Sequence, residues 1–395
     1  MEELQTIYAD LHIHIGRTSS GRPVKITGSR NLTLEAILEE AAFRKGLDLI
    51  GVIDCHVPEV LGELRRLIET GRVEELEEGG LRFDQVTLIP GSEIEIKDER
   101  SQGPIHLLVY FPTLNTMTQF SQWLSEHVTN NTLSTQRFFN GTAKDIQQKT
   151  KSLGGLFIPA HVFTPFKSLY GVGVQRSLSE FLDPEMIDAV ELGLSSDTSM
   201  AVQIEELSRY PFVSNSDAHS LGKIAREYQT IRVQNATFQE LQMALKHEAG
   251  RKIVANYGLN PLLGKYHRTR CAECFEVIEG EVPAVCPHCG HKRVIKGVFE
   301  RLQELKSPEI SPDVLKHRPP YIHQVPLDFI PKVGKRTLDK LLDHFGTEMA
   351  ILHEVPREAL IEVVGQETAE RILHARTGSL AIQSGGAGRY GKITE

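Results

Sequence analysis

The chain contains 395 residues, of which 40% are hydrophobic and 24% are charged, and its formal net charge at pH 7 is −8. This length allows two or three domains, one of them with a large core. There is no apolar run of the about eighteen residues that a membrane-spanning helix requires, and residues 1–4 lack the basic start of a signal peptide. We therefore expect a cytoplasmic protein with no membrane partner.

The overall negative charge argues against indiscriminate binding to nucleic acid, but the charge is unevenly distributed. Residues 251–320 contain 12 Lys and Arg against 8 Asp and Glu, which makes this segment +4 and the rest of the chain −12. An acidic body with a locally basic arm is compatible with DNA binding.

Residues 1–250 alternate short apolar runs with amphipathic segments. After a first strand that ends near residue 14, a helix is predicted over residues 33–45, with an N-cap at Asn31 or Thr33 and a stop at Gly46. Later strands are predicted at residues 47–53, 86–89, 106–111, 156–159, 187–192 and 212–216, and later helices at 61–68, 120–127, 142–152 and 201–208. This alternation is typical of a parallel sheet and, at this length, favours a closed or nearly closed barrel with its chemistry at the carboxyl ends of the strands.

Polar residues spaced two apart follow three of these strands. Asp10, His12 and His14 end the first strand, and side chains two apart share a face, so we expect all three to point the same way. The same spacing recurs at the ends of two later strands. With the single residues that follow other strand ends, the candidate metal ligands are His12, His14, Asp54, His56, Glu93, His106, His161, Asp217 and His219.

This set contains more donors than one four-coordinate ion needs. Glu93 is the natural bridge, because one carboxylate between two cations offsets their mutual repulsion. Paired divalent ions about 3.5–4 Å apart generate hydroxide and stabilise phosphoryl displacement. We therefore predict more than one divalent ion (Zn²⁺, Mn²⁺ or Mg²⁺) and hydrolysis of a phosphate ester; histidine and carboxylate ligands do not select among these metals.

The spacing Cys271-x-x-Cys274, eleven residues, Cys286-x-x-Cys289 predicts a structural four-thiolate zinc site in a reducing compartment. The flanking basic residues are candidate DNA contacts: Arg268, Arg270, Lys292 and Arg293. A ribbon that only folds its own segment is the alternative. Cys55 lies outside this pattern and is expected to be a buried thiol.

After a proline-rich linker that ends near residue 320, two similar units surround residues 330–337 and 363–368. Each resembles the helix-hairpin-helix module, which binds the DNA backbone without reading sequence. The resemblance implies phosphate contacts from backbone N–H groups and nearby cations, at Lys332, Gly334, Lys335 and Arg336 in the first unit and Gly365 in the second. Lys332 and Val363 replace the usual first glycine of each hairpin. A helical module for protein contacts is the alternative.

The order of ligands over residues 7–250 resembles the PHP (polymerase and histidinol phosphatase) family, which implies a distorted (β/α)7 barrel holding up to three metals. It implies that His12, His14, Glu93 and Asp217 hold one metal, that Glu93, His106 and His161 hold a second, and that His56 and His219 lie beside a third. Many members carry another Asp or His near the position of Ser20, where this sequence offers no ligand.

The order of parts (barrel at 1–255, zinc segment and linker at 256–320, tandem hairpins at 321–380 and flexible tail at 381–395) resembles a family of DNA-repair endonucleases. The resemblance implies a nick in double-stranded DNA 5′ to a deaminated base (uracil, hypoxanthine or xanthine) or an abasic site, made by a metal-activated water. A sliding clamp is a candidate partner. The expected catalytic residues are Asp217, Glu93, His219 and Arg17, with Arg226 as an alternative cation to Arg17.

Cutting beside one nucleotide requires its base to leave the stack. We expect the pocket that receives the base to include Ser195, Ser196, Phe166 and Tyr170. Four other functions stay open: a histidinol-phosphatase-type enzyme for small molecules, a general DNA nuclease, a non-catalytic DNA-binding factor and, with a poorer fit, an amidohydrolase-type deaminase.

Overall fold

The computed structural model describes residues 3–307, 312–383 and 391–393. Within these ranges, no helix combines the length and the apolar character needed to cross a membrane. The strands are β1 (Gln5–Ile13), β2 (Leu49–Val52), β3 (Glu74–Glu75), β4 (Leu81–Phe83), β5 (Val86–Ile96), β6 (Ile105–Tyr110), β7 (Arg137–Phe138), β8 (Leu156–Pro159), β9 (Val190–Glu191), β10 (Phe212–Val213), β11 (Tyr228–Val233), β12 (Lys252–Gly258), β13 (Arg270–Cys271), β14 (Val294–Ile295), β15 (Tyr321–His323), β16 (Ile382–Gln383) and β17 (Lys392–Ile393).

The α-helices are α1 (Leu34–Glu39), α2 (Pro58–Glu69), α3 (Leu114–Ser125), α4 (Ala143–Ser152), α5 (Thr198–Ala201), α6 (Phe238–Leu245), α7 (Val298–Leu305), α8 (Lys335–Phe345), α9 (Glu348–His353), α10 (Arg357–Val364) and α11 (Gln366–Arg376). Thr33 caps α1 by accepting from the N–H of Ala36, a π-helical turn (Glu40–Lys45) extends it, and Gly46 ends it at φ 77°. The predicted helix over 33–45 is therefore confirmed.

Of the strands that the structure describes, seven close into a ring in the order β1-β2-β5-β6-β8-β9-β10. Backbone bonds such as Val162 N–H to Glu191 O (3.0 Å) join β8 to β9, and Ala218 N–H to His12 O (3.1 Å) closes the ring. The expected fold class, a distorted seven-stranded barrel followed by a zinc-type cysteine segment and a helical region, is confirmed.

Strand β6 departs from the parallel arrangement predicted for the barrel, because it pairs antiparallel with both β5 and β8. The start of β6 therefore lies at the same barrel end as the carboxyl ends of its parallel neighbours. His106, the second residue of β6, pairs with Glu95 of β5 and so joins the other candidate ligands.

A β-bulge in β1 changes which side chains reach this end of the barrel. Asp10 pairs with Ile50 and Ile13 with Val52, so Leu11 and His12 together oppose Gly51. A Cβ on Gly51 would lie 2.3 Å from the carbonyl oxygen of Leu11, which explains the glycine. The expectation that Asp10 shares a face with the two histidines is wrong, because the extra residue separates them.

Asp10 instead serves as a buried acceptor below the ligand cluster. Its carboxylate accepts backbone N–H groups from Ser216 (3.0 Å), Ala225 (2.9 Å) and His12 (3.3 Å). The bonds from Ser216 and Ala225 tie β1 to the segment after β10, where the ring closes. The carboxylate therefore contributes to barrel closure.

Apolar side chains fill the barrel below the ligands. Leu11, Ile89, Leu108 and Ile158, from four ring strands, are fully buried in one cluster. Full burial of such a side chain stabilises the fold by about 1.5–3 kcal/mol. Tyr110 is buried with them and donates its hydroxyl to Leu11 O at 2.6 Å, which leaves its polar atom paired.

The sheet continues past the ring and ties the linker to the barrel. β11 pairs with β1, β12 with β11, and β15 with β12. The predicted boundary at residue 255 therefore cuts β12, and β15, assigned by sequence to the hairpin domain, extends the sheet of the barrel. The predicted flexible tail lies largely outside the described residues; within them, β16 pairs with β17.

The helical region α8–α11 rests on the barrel through buried contacts. Nζ of Lys45 lies 2.8 Å from Oε1 of Glu348, and both side chains are buried. His353 lies among three tyrosines, with ring centroids 4.9 Å from Tyr8 and 5.0 Å from Tyr257. The helical region therefore has a defined position relative to the metal-binding end.

Candidate metal centre

The imidazoles of His12 and His14 converge on two carboxylates. Nε2 of each lies 3.6 Å from Glu93, and the distances to Oδ1 of Asp217 are 3.5 Å from His12 and 3.4 Å from His14. Both Nε2 atoms are buried without a hydrogen-bond partner, a costly state that a cation would relieve. This donor set suits one divalent ion.

Two further groups of donors adjoin the first. Nδ1 of His106 lies 2.8 Å, and Nε2 of His161 3.5 Å, from Oε1 of Glu93. On the other side, Nε2 of His219 lies 3.3 Å from Oδ1 of Asp217. The donor atoms of each of three groups lie within 4.8 Å of one another: His12, His14 and Glu93; Glu93, His106 and His161; and His14, Asp217 and His219.

The first two histidines are oriented by carboxylates behind them. Nδ1 of His14 lies 3.0 Å from Asp54, and Nδ1 of His12 lies 3.0 Å from Glu191. A proton on each Nδ1 leaves each Nε2 lone pair free for a metal. Asp54, predicted as a ligand, therefore orients a ligand here, and it also accepts the N–H of Ile15 at 2.8 Å.

Sequence reasoning missed Glu191. It accepts from His12, from the backbone N–H of His161 (2.8 Å) and from the Asn215 amide (2.8 Å), so it contacts three segments of the site. The sequence offered one indication that Glu191 has a special role, because it is an acidic residue inside the apolar run that forms β9.

His56, expected beside a third metal, is not among the free donors. Its Nδ1 lies 2.9 Å from the hydroxyl of Ser92 and its Nε2 3.1 Å from the carbonyl of Leu133. Both ring nitrogens are thus engaged by protein atoms, and burial lowers the pKa of His56. The third group of neighbouring donors therefore contains His14, which it shares with the first group, and not His56.

The two carboxylates of the cluster, Glu93 and Asp217, are in the ionised form at neutral pH. Burial alone would raise the pKa of Glu93, but His106 and Lys25 outweigh burial and hold the pKa well below its ordinary value. Burial likewise opposes ionisation of Asp217, whose pKa His12 and His14 hold well below its ordinary value. Ionised carboxylates are the form that binds divalent cations.

Two residues of the cluster adopt left-handed backbone conformations. His161 has φ 29° and Asp217 has φ 46°, unusual values for residues other than glycine. A Cβ on Gly193 would lie 2.8 Å from Cβ of His161, so the loop after β9 approaches this histidine too closely for a side chain. Such local strain is common at functional sites.

The cations beside the cluster differ from the predicted Arg17. Its guanidinium donates to Gly21 O at 2.7 Å, within its own loop. Nζ of Lys25 instead lies 3.4 Å from Glu93 and 2.8 Å from Thr135, and Lys25 lines a cavity of about 470 Å³ beside the cluster. Arg226 donates to the carbonyls of Ser216 and Asp217.

A second cavity, of about 430 Å³, adjoins the cluster on another side. Of the predicted base-pocket residues, Ser195 and Phe166 line it, and Phe166 forms an edge-to-face pair with Tyr266 at 5.4 Å. Tyr170 is buried with its hydroxyl on Glu206, and Ser196 donates to Leu192 O, so neither lines this cavity. Tyr266, which sequence reasoning missed, takes their place.

The four predicted zinc ligands converge. Sγ of Cys271 lies 3.6 Å from that of Cys289, and Sγ of Cys274 lies 3.6 Å from that of Cys286. Zinc–sulfur bonds of about 2.3 Å in a tetrahedron place sulfurs about 3.8 Å apart, so the geometry fits a structural zinc ion. Cys55 is fully buried elsewhere in the barrel.

Basic residues of the zinc segment and the hairpins are partly engaged. Arg268 pairs with Glu300 at 2.5 Å, and Arg270 donates to Phe275 O. Arg293 lines a cavity between the zinc segment and the barrel, and Lys292 is exposed beside it.

Two helices in the predicted hairpin region, α8 and α11, begin without a side-chain cap. Gly334 and Gly365 precede α8 and α11 without a side-chain cap, which leaves backbone N–H groups free at both helix starts. Lys332 takes φ 71° at the first turn and pairs with Glu367. The first unit begins with a 3-10 turn (Leu327–Phe329) rather than a full helix, because the nearby Pro331 disfavours helical backbone before it.

No protein-family model matches the chain. It is 55% identical to the uncharacterized protein YqxK of Bacillus subtilis over 99% of this chain and 100% of that protein. It is 36% identical to the uncharacterized protein MJ0043 of Methanocaldococcus jannaschii over 255 residues, which are 59% of this chain and 31% of that protein.

A closed barrel with a histidine–carboxylate cluster at one end is the arrangement expected of a metal-dependent phosphoesterase of the PHP type. The crystal structure of the lesion-specific endonuclease PfuEndoQ from Pyrococcus furiosus is similar at 33% identity and a TM-score of 0.84, covering 98% of this chain and 95% of that one. A structure of endonuclease Q with a 27-mer duplex substrate carrying an abasic lesion matches at 33% identity and a TM-score of 0.83, over 98% and 96% of the two chains. The chain belongs to the endonuclease Q family and is a metal-dependent nuclease.

Proposed function

We propose that this protein nicks one strand of duplex DNA on the 5′ side of a deaminated base (uracil, hypoxanthine or xanthine) or of an abasic site. The observation that carries the proposal is that the 430 Å³ cavity opens directly onto the metal-binding cluster, with His106, His161 and Asp217 in its wall. A nucleotide in this cavity would have its phosphate beside the ligands. The similar endonuclease with an abasic lesion at its active site supports this assignment.

The residues present fit the implied metals. His12, His14, Glu93 and Asp217 would hold one ion, and Glu93, His106 and His161 a second; Asp217 and His219 would be left for a third, because the one free nitrogen of His14 can bind a single ion. When bound, such ions supply hydroxide at neutral pH and offset negative charge on the phosphate. Zinc, manganese and magnesium are the candidates, and a structural zinc would occupy the four cysteines.

The protein groups position the phosphodiester and its neighbours. Lys25 and Lys167, paired with Glu93 and Glu95, line the 470 Å³ cavity, where their charges can offset that of the scissile phosphate. Arg226 holds the backbone of Asp217, and Asp54 and Glu191 fix the two first histidines. These contacts preorganise the cluster before substrate arrives.

The second cavity can receive the damaged nucleotide. A base must leave the duplex to reach it, and damaged or mismatched pairs cost the least to open. Phe166 and Tyr266 offer aromatic surfaces, and the hydroxyl of Ser195 offers a hydrogen-bonding group. Abasic sites, which have no base to unstack, would enter most easily.

The free N–H groups at the start of α8, with Lys335 and Arg336 beside them, would hold a phosphate at a distance from the lesion. Gly365 would present α11 in the same way, and Arg293 and Lys292 would contact the backbone on the zinc side. The reducing cytoplasm suits four metal-binding thiols. A sliding clamp stays a predicted partner.

The test uses end-labelled duplex DNA with one central deoxyuridine, incubated with Mn²⁺, Mg²⁺ or Zn²⁺ in turn. We expect one nick just 5′ to the uridine, absent from undamaged duplex and from an Asp217→Asn variant. Arg22→Ala is the control, since this arginine is exposed and pairs with Glu59 rather than with a candidate metal ligand. Equal cutting of undamaged DNA would leave a general nuclease, and tight binding without cutting would leave a DNA-binding factor.

A further inference from the structure

Ile26 is the most exposed large apolar side chain in the described part of the chain, with 77% of its surface accessible. It lines the 470 Å³ cavity beside the metal-binding cluster, with His161 and Asp217 in the same wall. Single exposed apolar residues are common on protein surfaces. Ile26 differs from such residues because the turn that carries it is anchored to the metal-binding cluster.

The turn that carries Ile26 is anchored to the cluster on both sides. The N–H of Gly28 donates to Lys25 O at 2.9 Å, which closes the turn over residues 25–28. Nζ of Lys25 donates to Glu93 at 3.4 Å, and the hydroxyl of Thr27 lies 3.3 Å from Nδ1 of His219. Both neighbours of Ile26 therefore contact candidate metal ligands.

The base of the turn has little room to move. The N–H groups of Val24 and Lys25 donate to the carbonyls of Gly16 and Ile15, each at 2.9 Å. A Cβ on Gly28 would lie 2.9 Å from Cα of Gly16, so the two backbone segments touch. The side chain of Ile26 is thus held out into solvent at a defined distance from the cluster.

We propose that Ile26 enters the duplex at the gap that opens when the damaged nucleotide turns into the 430 Å³ cavity, and takes the place of the lost base in the stack. This inference rests on the proposed function. Proteins that distort DNA commonly insert an apolar side chain between base steps, which offsets part of the cost of unstacking. Ile26 and the Phe166–Tyr266 pair line different cavities of the same cluster, so the wedge and the receiving pocket do not compete for space.

Duplex and single-stranded substrates should respond differently to loss of Ile26. A single strand has little stacking to restore, so only the rate of nicking duplex DNA should fall. We expect Ile26→Ala to nick deoxyuridine-containing duplex about tenfold more slowly, a loss of about 1.4 kcal/mol of transition-state stabilisation, and to nick the same strand without its complement at the wild-type rate. Ile26→Leu should recover most of the duplex rate.

A spectroscopic readout tests insertion directly. In an Asp217→Asn background, which prevents cutting, 2-aminopurine next to the deoxyuridine should brighten when the protein binds, because the deoxyuridine leaves the stack and Ile26, which does not quench, keeps the next base from closing onto the probe. Ile26→Ala should remove this brightening. Phe43→Ala is the matched control, since Phe43 is 54% exposed and packs against Phe83 rather than in the cavity.

The remaining outcomes refute either the wedge alone or the proposed function together with it. If Ile26→Ala nicks duplex as fast as wild type, or slows equally on duplex and single strand, the wedge is refuted while lesion cutting by wild type still supports the proposed function. If wild type does not cut beside the lesion at all, the proposed function fails, and the wedge fails with it.

Discussion

Replacing Glu191 by glutamine tests whether a carboxylate behind His12 prepares the metal centre. The change keeps the shape of the side chain and removes its charge. The two carboxylate oxygens accept from three donors: Nδ1 of His12 at 3.0 and 3.1 Å, the His161 N–H at 2.8 Å and the Asn215 amide at 2.8 Å. A glutamine amide turns one acceptor into a donor, so one of these groups must lose its partner.

We expect two effects of this change, one on metal affinity and one on folding stability. Loss of a carboxylate behind a metal-binding histidine typically lowers metal affinity or activity ~10–100-fold. One unpaired buried donor costs about 1–3 kcal/mol of folding stability. We therefore expect Glu191→Gln to fold with reduced stability and to need ~10–100-fold more metal for half-maximal nicking.

The assay measures metal affinity by competition with a chromogenic chelator, the nicking rate at saturating metal, and stability by chemical denaturation without metal. Glu240→Gln is the control, because Glu240 is also buried and accepts from Gln234 N–H at 2.7 Å and Arg251 at 3.0 Å, neither of which is a candidate metal ligand. It should lose stability only. The role of Glu191 in preparing the metal centre would be refuted if Glu191→Gln kept the metal affinity and nicking rate of wild type and lost only stability, as Glu240→Gln does.

Three further predictions concern other parts of the molecule. Cys271→Ser should lower bound zinc by one ion per chain in elemental analysis, while the nicking metals remain. Lys45→Ala should destabilise the protein by up to about 3–5 kcal/mol in chemical denaturation, because Glu348 stays buried with only Arg44, at 4.0 Å, to offset its charge. Burial raises the pKa of Glu227 from 4.5 to about 8, so the folded state binds a proton that the unfolded state releases. Stability is therefore lost as pH rises between these values, and thermal unfolding at pH 6 and pH 9 should show less of this loss in Glu227→Gln.

These predictions have clear contrary results. Unchanged zinc content in Cys271→Ser would remove the four-thiolate site. A Lys45→Met/Glu348→Met double variant less stable than Lys45→Ala would contradict the view that the unpaired charge causes the loss. An identical pH dependence of wild type and Glu227→Gln would show that this carboxyl does not titrate in that range.

The sequence by itself determined most of the candidate ligands. Histidines and carboxylates that follow apolar runs mark strand ends, and strand ends of a barrel meet at one place whatever the details of packing. His12, His14, Glu93, His161 and Asp217 needed only this local pattern. The cysteine pairs likewise carry their geometry in their spacing, because one ion fixes four sulfurs.

Only the tertiary structure decided the contacts between distant segments. The bulge that separates Asp10 from His12 depends on pairing with β2 at Gly51. The antiparallel direction of β6 depends on its pairing with β5 and β8. Glu191 orients His12 from 179 positions away along the chain. Ser92 and Leu133 engage both ring nitrogens of His56 in hydrogen bonds, so neither is free to bind a metal. Residue type and spacing predict which side chains can bind a metal, but the partner of each ring nitrogen is set by long-range packing, which leaves no periodic trace along the chain.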